Sequence, residues 1–263
     1  MSIKKYTKRT LIAALEEIRN LGWIKNHRNI NNDGAIENTL KDLLGIPENN
    51  LPLPNAAEWE LKTQRRGTSA LLTLFHLEPS PRALHIVDYL LLNYGWRHKE
   101  AGIKYPCDER SFRQTLSYRC PTSRGFFVDL DNKNERVTVN FSPDKIGDEV
   151  NDWKNDLIKN GRIKYDEDYV PYWGFYDLYH KAGVKLGNCF YIIADVKKEN
   201  EEYFFKYSEI MQLSGFSLEK FLFNIKERNI FIDFDARTGH NHGTKFRIIQ
   251  SAVPLLYENV TRI

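Results

Sequence analysis

Glu60-Leu61-Lys62 is the segment whose residue types and spacing most directly suggest chemistry. Glu58-Trp59-Glu60-Leu61-Lys62-Thr63 alternates charged and apolar residues, the period of a strand. Residues two apart on a strand project from one face, so Glu60 and Lys62 point together, with Glu58 as a further carboxylate. A carboxylate beside an ammonium suits metal-assisted phosphodiester hydrolysis. The acid holds Mg²⁺, which favours hard oxygen ligands. The lysine stabilises charge on the phosphate or lies near the attacking water. Alone the spacing is unspecific, because solvated Glu/Lys alternation is common.

A second group is denser. Asp235, Arg237, His240, His242, Lys245 and Arg247 crowd into a short stretch around Gly239 and Gly243. Arginine bonds bidentately to guanine O6 and N7, and an aspartate accepts from cytosine N4, so a G·C-containing target fits this set. His240-x-His242 also has the form of a zinc pair, but no cysteine or third histidine stands near it in sequence. Arg65-Arg66, just past the Glu-x-Lys strand, suits phosphate contacts, and Lys4, Lys5, Lys8, Arg9, Lys25 and Arg28 are further candidates.

The elements that must position these groups are legible in outline. Leu11, Leu15 and Ile18 predict a helix over 8–21, and Ile36, Leu40, Leu43 and Leu44 a second one ending at Gly45. Strands are expected over 58–63 and 68–77, a helix over 83–94, and a hairpin pairing 126–130 with 136–141 across Asp131 to Asn134. Further on, 144–160 reads as loop and short helix, and 172–182 as a helix. Strands are expected over 189–196, 203–207, 230–234 and 245–249. A helix capped by Ser217 runs to Arg228. Helices on a mixed sheet with extra hairpins give an α/β (α+β) class.

Composition agrees with a water-soluble domain protein: 263 residues, 41% hydrophobic and 28% charged. With 38 Lys plus Arg against 35 Asp plus Glu, the net charge of +3 neither demands nor excludes a polyanionic partner. Cys107, Cys120 and Cys189 are too widely spaced for a bridge framework or a Cys-based metal site, so reduced thiols and a cytoplasmic location are expected. The basic start MSIKKYTKRT is not followed by a signal-type apolar segment, and no apolar run approaches the ~20 residues of a membrane span.

The stretch GAIENTLKDLLGIPENNLPLPNAAEWELKTQRRGTSALLTLFHLEPSPR, residues 34–82, resembles the MvaI/BcnI family of type II restriction endonucleases. These are relatives of the MutH mismatch-repair nuclease within the PD-(D/E)xK superfamily. The likeness resumes at YFFKY (203–207) and leads to IDFDARTGHNHGTKFRI (232–248), whose HxHGTxFRI part looks like the family's DNA-reading segment. Between about 95 and 170 it is only loose. The resemblance implies a restriction-endonuclease-like mixed sheet flanked by helices, with two lobes forming a DNA-binding cleft. The catalytic lobe would span 1–95, joined by part of 170–200, and 96–263 would be mainly a recognition lobe. It further implies a monomer that cuts double-stranded DNA at a short G/C-rich site of the CCWGG or CCSGG kind with Mg²⁺. Such an enzyme works beside a cognate DNA methyltransferase in a restriction–modification system.

The family's active site has a helical Glu, an Asp, and Glu-x-Lys five residues after that Asp. Glu60 and Lys62 match the last two positions. The Asp position, a metal ligand, falls on Asn55, and the helical Glu on Lys41. Both departures remove negative charge and weaken the pull on a divalent cation. Three explanations stand open: Asn55 as an engineered inactivating change, ligands moved to Glu58, Glu37 or Asp42, or a non-cleaving DNA-binding homologue. A MutH-like nickase that depends on a partner is a more distant alternative.

Overall fold

The computed structural model describes residues 6–26, 28, 34–46, 59–164 and 169–263. The chain divides into two compact units. Unit 1 takes residues 1–72, 182–220 and 249–263, and unit 2 takes 73–181 and 221–248.

Unit 1 is built on a five-stranded sheet. Its spine is an antiparallel hairpin of β9 (Asn188–Glu199) and β10 (Glu202–Phe216). The long β10 also pairs with β1 (Ile24–Lys25) and β14 (Tyr257–Arg262). On the other side β2 (Glu60–Arg65) runs parallel to β9, with Glu60 opposite Cys189 and Lys62 opposite Tyr191. Helix α1 (Lys8–Asn20), capped by Thr7, and helix α2 (Gly34–Leu44) cover one face. Leu11, Leu15, Ile36, Leu40 and Leu61 close a core with Phe190, Ile192 and Tyr207. Two buried phenols fasten α2 at both ends. Tyr207 donates to the Ile36 carbonyl at 2.8 Å, and Tyr6 to that of Leu44 at 2.7 Å.

Unit 2 is centred on a second sheet in the order β3 (Leu71–His76), β13 (Lys245–Ile249), β11 (Ile230–Arg237), β5 (Arg110–Leu116), β4 (Trp96–Arg97), with β12 (His240–Asn241) also on β11. Beside it stand helix α3 (Ile86–Tyr94), helix α4 (Asn151–Lys159) and a three-stranded sheet of β6 (Arg124–Asp131), β7 (Arg136–Ile146) and β8 (Tyr172–Gly174). The unit's core is aromatic: Phe112, Phe126, Trp173, Phe234 and Phe246 are almost wholly buried. Helices α5 (Phe175–Leu186) and α6 (Leu218–Lys226) each cross from one unit to the other. Among the described residues no helix is long and apolar enough to cross a membrane.

The mixed α+β class holds, and several elements differ in extent. The helix expected over 83–94 breaks at His85, whose φ of 47° is left-handed, leaving a 3-10 turn and then α3. Residues 172–174, expected to begin a helix, form β8 because their main chain is recruited by β7. Leu43, expected on the core face, is 40% exposed, while Lys41 is buried. The short strand expected over 203–207 runs on to Phe216, and β5 and β14 were not foreseen. The chain changes unit at 72, 181, 220 and 248, whereas the sequence suggested a lobe over 1–95 joined by part of 170–200 and a second one over 96–263. The reason is topological: β2 finds its partner β9 more than a hundred residues away, a crossover that parallel pairing requires.

Candidate functional site

Strand β2 separates its two faces sharply. Leu61 is fully buried in the core against α1 and α2, and Glu60 and Lys62 point the other way. They form a close pair, Lys62 Nζ to Glu60 Oε1 at 3.1 Å, and both side chains are largely removed from water. Burial works against the Lys62 ammonium, but the carboxylate of Glu60 and then that of Glu37 outweigh it and hold its pKa above the ordinary 10.5. Lys62 is therefore a cation throughout the neutral range and has no lone pair to offer as a base.

Glu37 comes from α2, one position beyond the core residue Ile36. Its Oε1 accepts from Lys41 Nζ at 2.6 Å, one helical turn on, and its charge reaches Lys62. Glu37, Lys41, Glu60 and Lys62 thus make a quartet of alternating charge. Asp42, the other helical carboxylate considered as a ligand, is turned away and held by Arg28 through two hydrogen bonds of 2.7 and 2.6 Å. Asn55 and Glu58 lie outside the described residues.

Behind the pair is a dry polar wall. Cys189, Tyr191 and Tyr257 are all under 4% exposed. The Cys189 thiol is pushed up to about 12, first by burial, so it stays protonated and unreactive. Tyr191 donates to the Gln250 carbonyl at 2.9 Å and touches the Gln64 side chain. Glu60 Oε2 is buried and has no hydrogen-bond partner. An anionic oxygen stranded this way is costly unless something positive meets it. That orphaned acceptor fits a divalent cation, and Mg²⁺ needs only one or two carboxylates because it keeps its waters. Among the described residues no cluster of three or more metal-type ligands occurs, and Glu37, whose charge reaches Lys62, is the described carboxylate that could join Glu60.

The second predicted group stands on the sheet of unit 2. Along β11 alternate residues are buried (Ile232, Phe234, Ala236) and half-buried (Asp233, Asp235, Arg237). The half-buried ones meet neighbours on both sides. Asp235 is paired by Lys245 at 3.1 Å and Arg113 at 3.2 Å, and Asp233 by Arg247 at 3.2 Å. Burial raises the Asp235 carboxyl, but these cations outweigh it and hold its pKa low. Arg237 reaches the buried Glu109 at 3.2 Å and lies over the Tyr105 ring. His240 and His242 sit exposed at the tip, ring nitrogens 3.3 Å apart. The structure brings together Asp235, Arg237, Lys245 and Arg247 as one ladder, with His240 and His242 at its end. Arg65 is exposed at the end of β2, whereas Arg66 is drawn onto Asp195 at 2.6 Å and Glu209 at 2.8 Å. Sequence reasoning missed Arg113 and Glu109 as members of this ladder, since only strand pairing brings β5 and the residue before it to β11, and it missed Asp233, which the strand period alone places on the face of Asp235.

A family model for the MvaI/BcnI restriction endonucleases matches residues 12–257, nearly the whole chain and both groups described above. The chain belongs to the MvaI/BcnI restriction endonuclease family. Its fold is shared with restriction endonuclease MvaI solved in complex with cognate DNA substrate, at a TM-score of 0.75 and 23% identity over 98% of this chain and 99% of that one. MvaI solved in the absence of DNA aligns at a TM-score of 0.52 and 22% identity, over 99% and 100% of the two chains. No curated protein sequence matches the chain. Membership in the MvaI/BcnI family makes the chain one of a class of site-specific DNA endonucleases, enzymes that generally use a divalent metal.

Proposed function

We propose that this protein is a monomeric type II restriction endonuclease of the PD-(D/E)xK kind that hydrolyses double-stranded DNA at a short G/C-rich site, CCWGG-like or CCSGG-like, with Mg²⁺. The observation that carries the proposal is the buried Glu60–Lys62 pair with an unpartnered Glu60 oxygen, in a chain of this family. Glu60 would hold the cation, with Glu37 as second carboxylate, because Asp42 is engaged by Arg28. A bound divalent cation supplies Lewis-acid stabilisation of the phosphate and an acidified water. Lys62, kept protonated by its two acidic neighbours, presents a fixed positive charge to the phosphate as negative charge grows there. Asp235, Arg237, His240, His242, Lys245 and Arg247 would read base edges, and Arg65 and Arg66 would meet the backbone. A cognate methyltransferase would protect the host's own sites in the cytoplasm.

One observation favours a second reading. Lys41 is 8% exposed and its ammonium sits on Glu37, neutralising one of the two described carboxylates. A site so balanced attracts a cation less strongly, as in a homologue that binds its DNA without cutting, or a nickase that waits for a partner. Plasmid incubated with Mg²⁺ and either this chain or its Asn55→Asp form separates the readings. Cutting by both means relocated ligands, and cutting by Asn55→Asp alone makes Asn55 the block. Retardation of DNA with no cutting by either sinks the endonuclease proposal.

A further inference from the structure

Glu78 carries no role in the sites described above, yet the loop that carries the two histidines is closed around its carboxylate. The Thr244 amide donates to Oε1 at 2.7 Å, and the Thr244 hydroxyl to Oε2 at 3.2 Å. The Asn241 side-chain amide adds a longer bond to Oε2, at 3.4 Å. Asn241 also folds the loop on itself, its Oδ1 accepting from the Gly243 amide at 2.8 Å. The Leu77 amide donates to the Thr244 carbonyl at 3.0 Å, so main chain and side chain of the 77–78 segment grip the same residue. Thr244 is 1% exposed, while His240 and His242, four and two residues before it, face solvent. The approach is so close that Gly243, at φ +84°, has no room for a freely placed Cβ: it would lie 3.3 Å from His76 and 3.4 Å from Glu78 Oε1.

Bonds to an ionised acceptor are stronger than neutral ones, and three converging on one carboxylate restrain a short exposed loop tightly. We propose that Glu78 is a positioning residue for sequence reading: its carboxylate fixes the Asn241–Thr244 turn in the shape that projects His240 and His242. Discrimination between base sequences then depends on a side chain whose own charge is spent inside the protein. The inference rests on the endonuclease reading and deepens its recognition half.

The test uses Glu78→Ala, Glu78→Gln and Asn241→Ala in the full chain. Glutamine still accepts from the Thr244 amide but meets the Asn241 amide with another donor. Each protein selects from a pool of duplexes with a randomised centre, by gel retardation in EDTA so that hydrolysis does not enter, and the bound fraction is sequenced. The wild-type chain is expected to enrich a short site. Glu78→Ala should lose enrichment at one or more positions by about tenfold or more, the worth of a base contact. Glu78→Gln and Asn241→Ala should lose less. Affinity for the unselected pool should hold, and amide exchange should quicken at 241–244 and not across β5. Should Glu78→Ala fail to fold, the other two variants carry the test. Enrichment of the same site to the same degree by wild type and variants overturns the role of Glu78 and leaves the endonuclease reading standing. Absence of any enriched site for the wild-type chain overturns both.

Discussion

The two charged regions follow opposite rules. Around Glu60 and Lys62 the charges are few, buried and backed by Cys189, Tyr191 and Tyr257, with an oxygen left over. Along β11 they are many and mutually paired: Asp233 with Arg247 and Asp235 with Lys245 and Arg113, all partly exposed, while Arg237 meets the buried Glu109. The contrast separates fixing a charge from lending one. A buried charge keeps its place because moving it exposes the partner's desolvation cost. A pair whose cation still reaches solvent is cheaper to break, so on the proposed reading Lys245, Arg113 and Arg247 would turn from a carboxylate to a base edge or phosphate at smaller cost.

Lys62→Ala attacks the fixed charge. Plasmid cleavage in Mg²⁺ is expected to fall by about a hundredfold to a thousandfold, while duplex affinity measured in EDTA stays near wild type. Equal loss of both would erase the division of labour. Leu61→Ala, between the two charged residues but facing the core, is expected to lower stability by about 2–5 kcal/mol, read as a drop in melting temperature. Arg247→Ala tests the lent charge. Site preference should weaken by about 10–100-fold, seen as the ratio of affinities for selected and scrambled duplexes, with little change in folding.

The pH dependence of stability is a subtler discriminator. The folded pKa of Lys62 is raised above 10.5 despite its burial. The stabilisation from its protonation is therefore complete below the unfolded value and disappears as pH rises through the folded one. Melting temperature should accordingly owe nothing to Lys62 titration at neutral pH, and wild type should lose an alkaline increment that Lys62→Met lacks. The smallest effect is expected for Arg66→Ala. Its pairs with Asp195 and Glu209 are solvent-exposed, so stability should change by no more than ~1 kcal/mol. The change should shrink further in high salt.

Glu60 and Lys62 were legible because strand geometry is local: two residues apart means one face, whatever the rest of the chain does. The helix bearing Ile36 and Leu40 was legible for the same reason. The placement of Lys41 was not, since burying a lysine depends on Glu37 and on Tyr207 and Tyr6 fastening both helix ends. Among Glu37, Asp42 and Glu58, sequence had no means of choosing. Arg28, fourteen residues before Asp42, engages that acid and leaves Glu37 facing Lys62. The His/Arg stretch was recognisable by type, but Arg113 joins Asp235 only through the β5–β11 register.

The amino-acid order by itself determined which groups share a strand face or a helical turn, because those distances are set by covalent geometry over a few residues. It also carried the two motif blocks that mark the family. Which carboxylates remain available, which cations are already engaged, and that Glu78 holds a loop 166 residues away were decided only by tertiary structure. Charges act through space and desolvation, and both are settled only when segments remote in sequence are packed together.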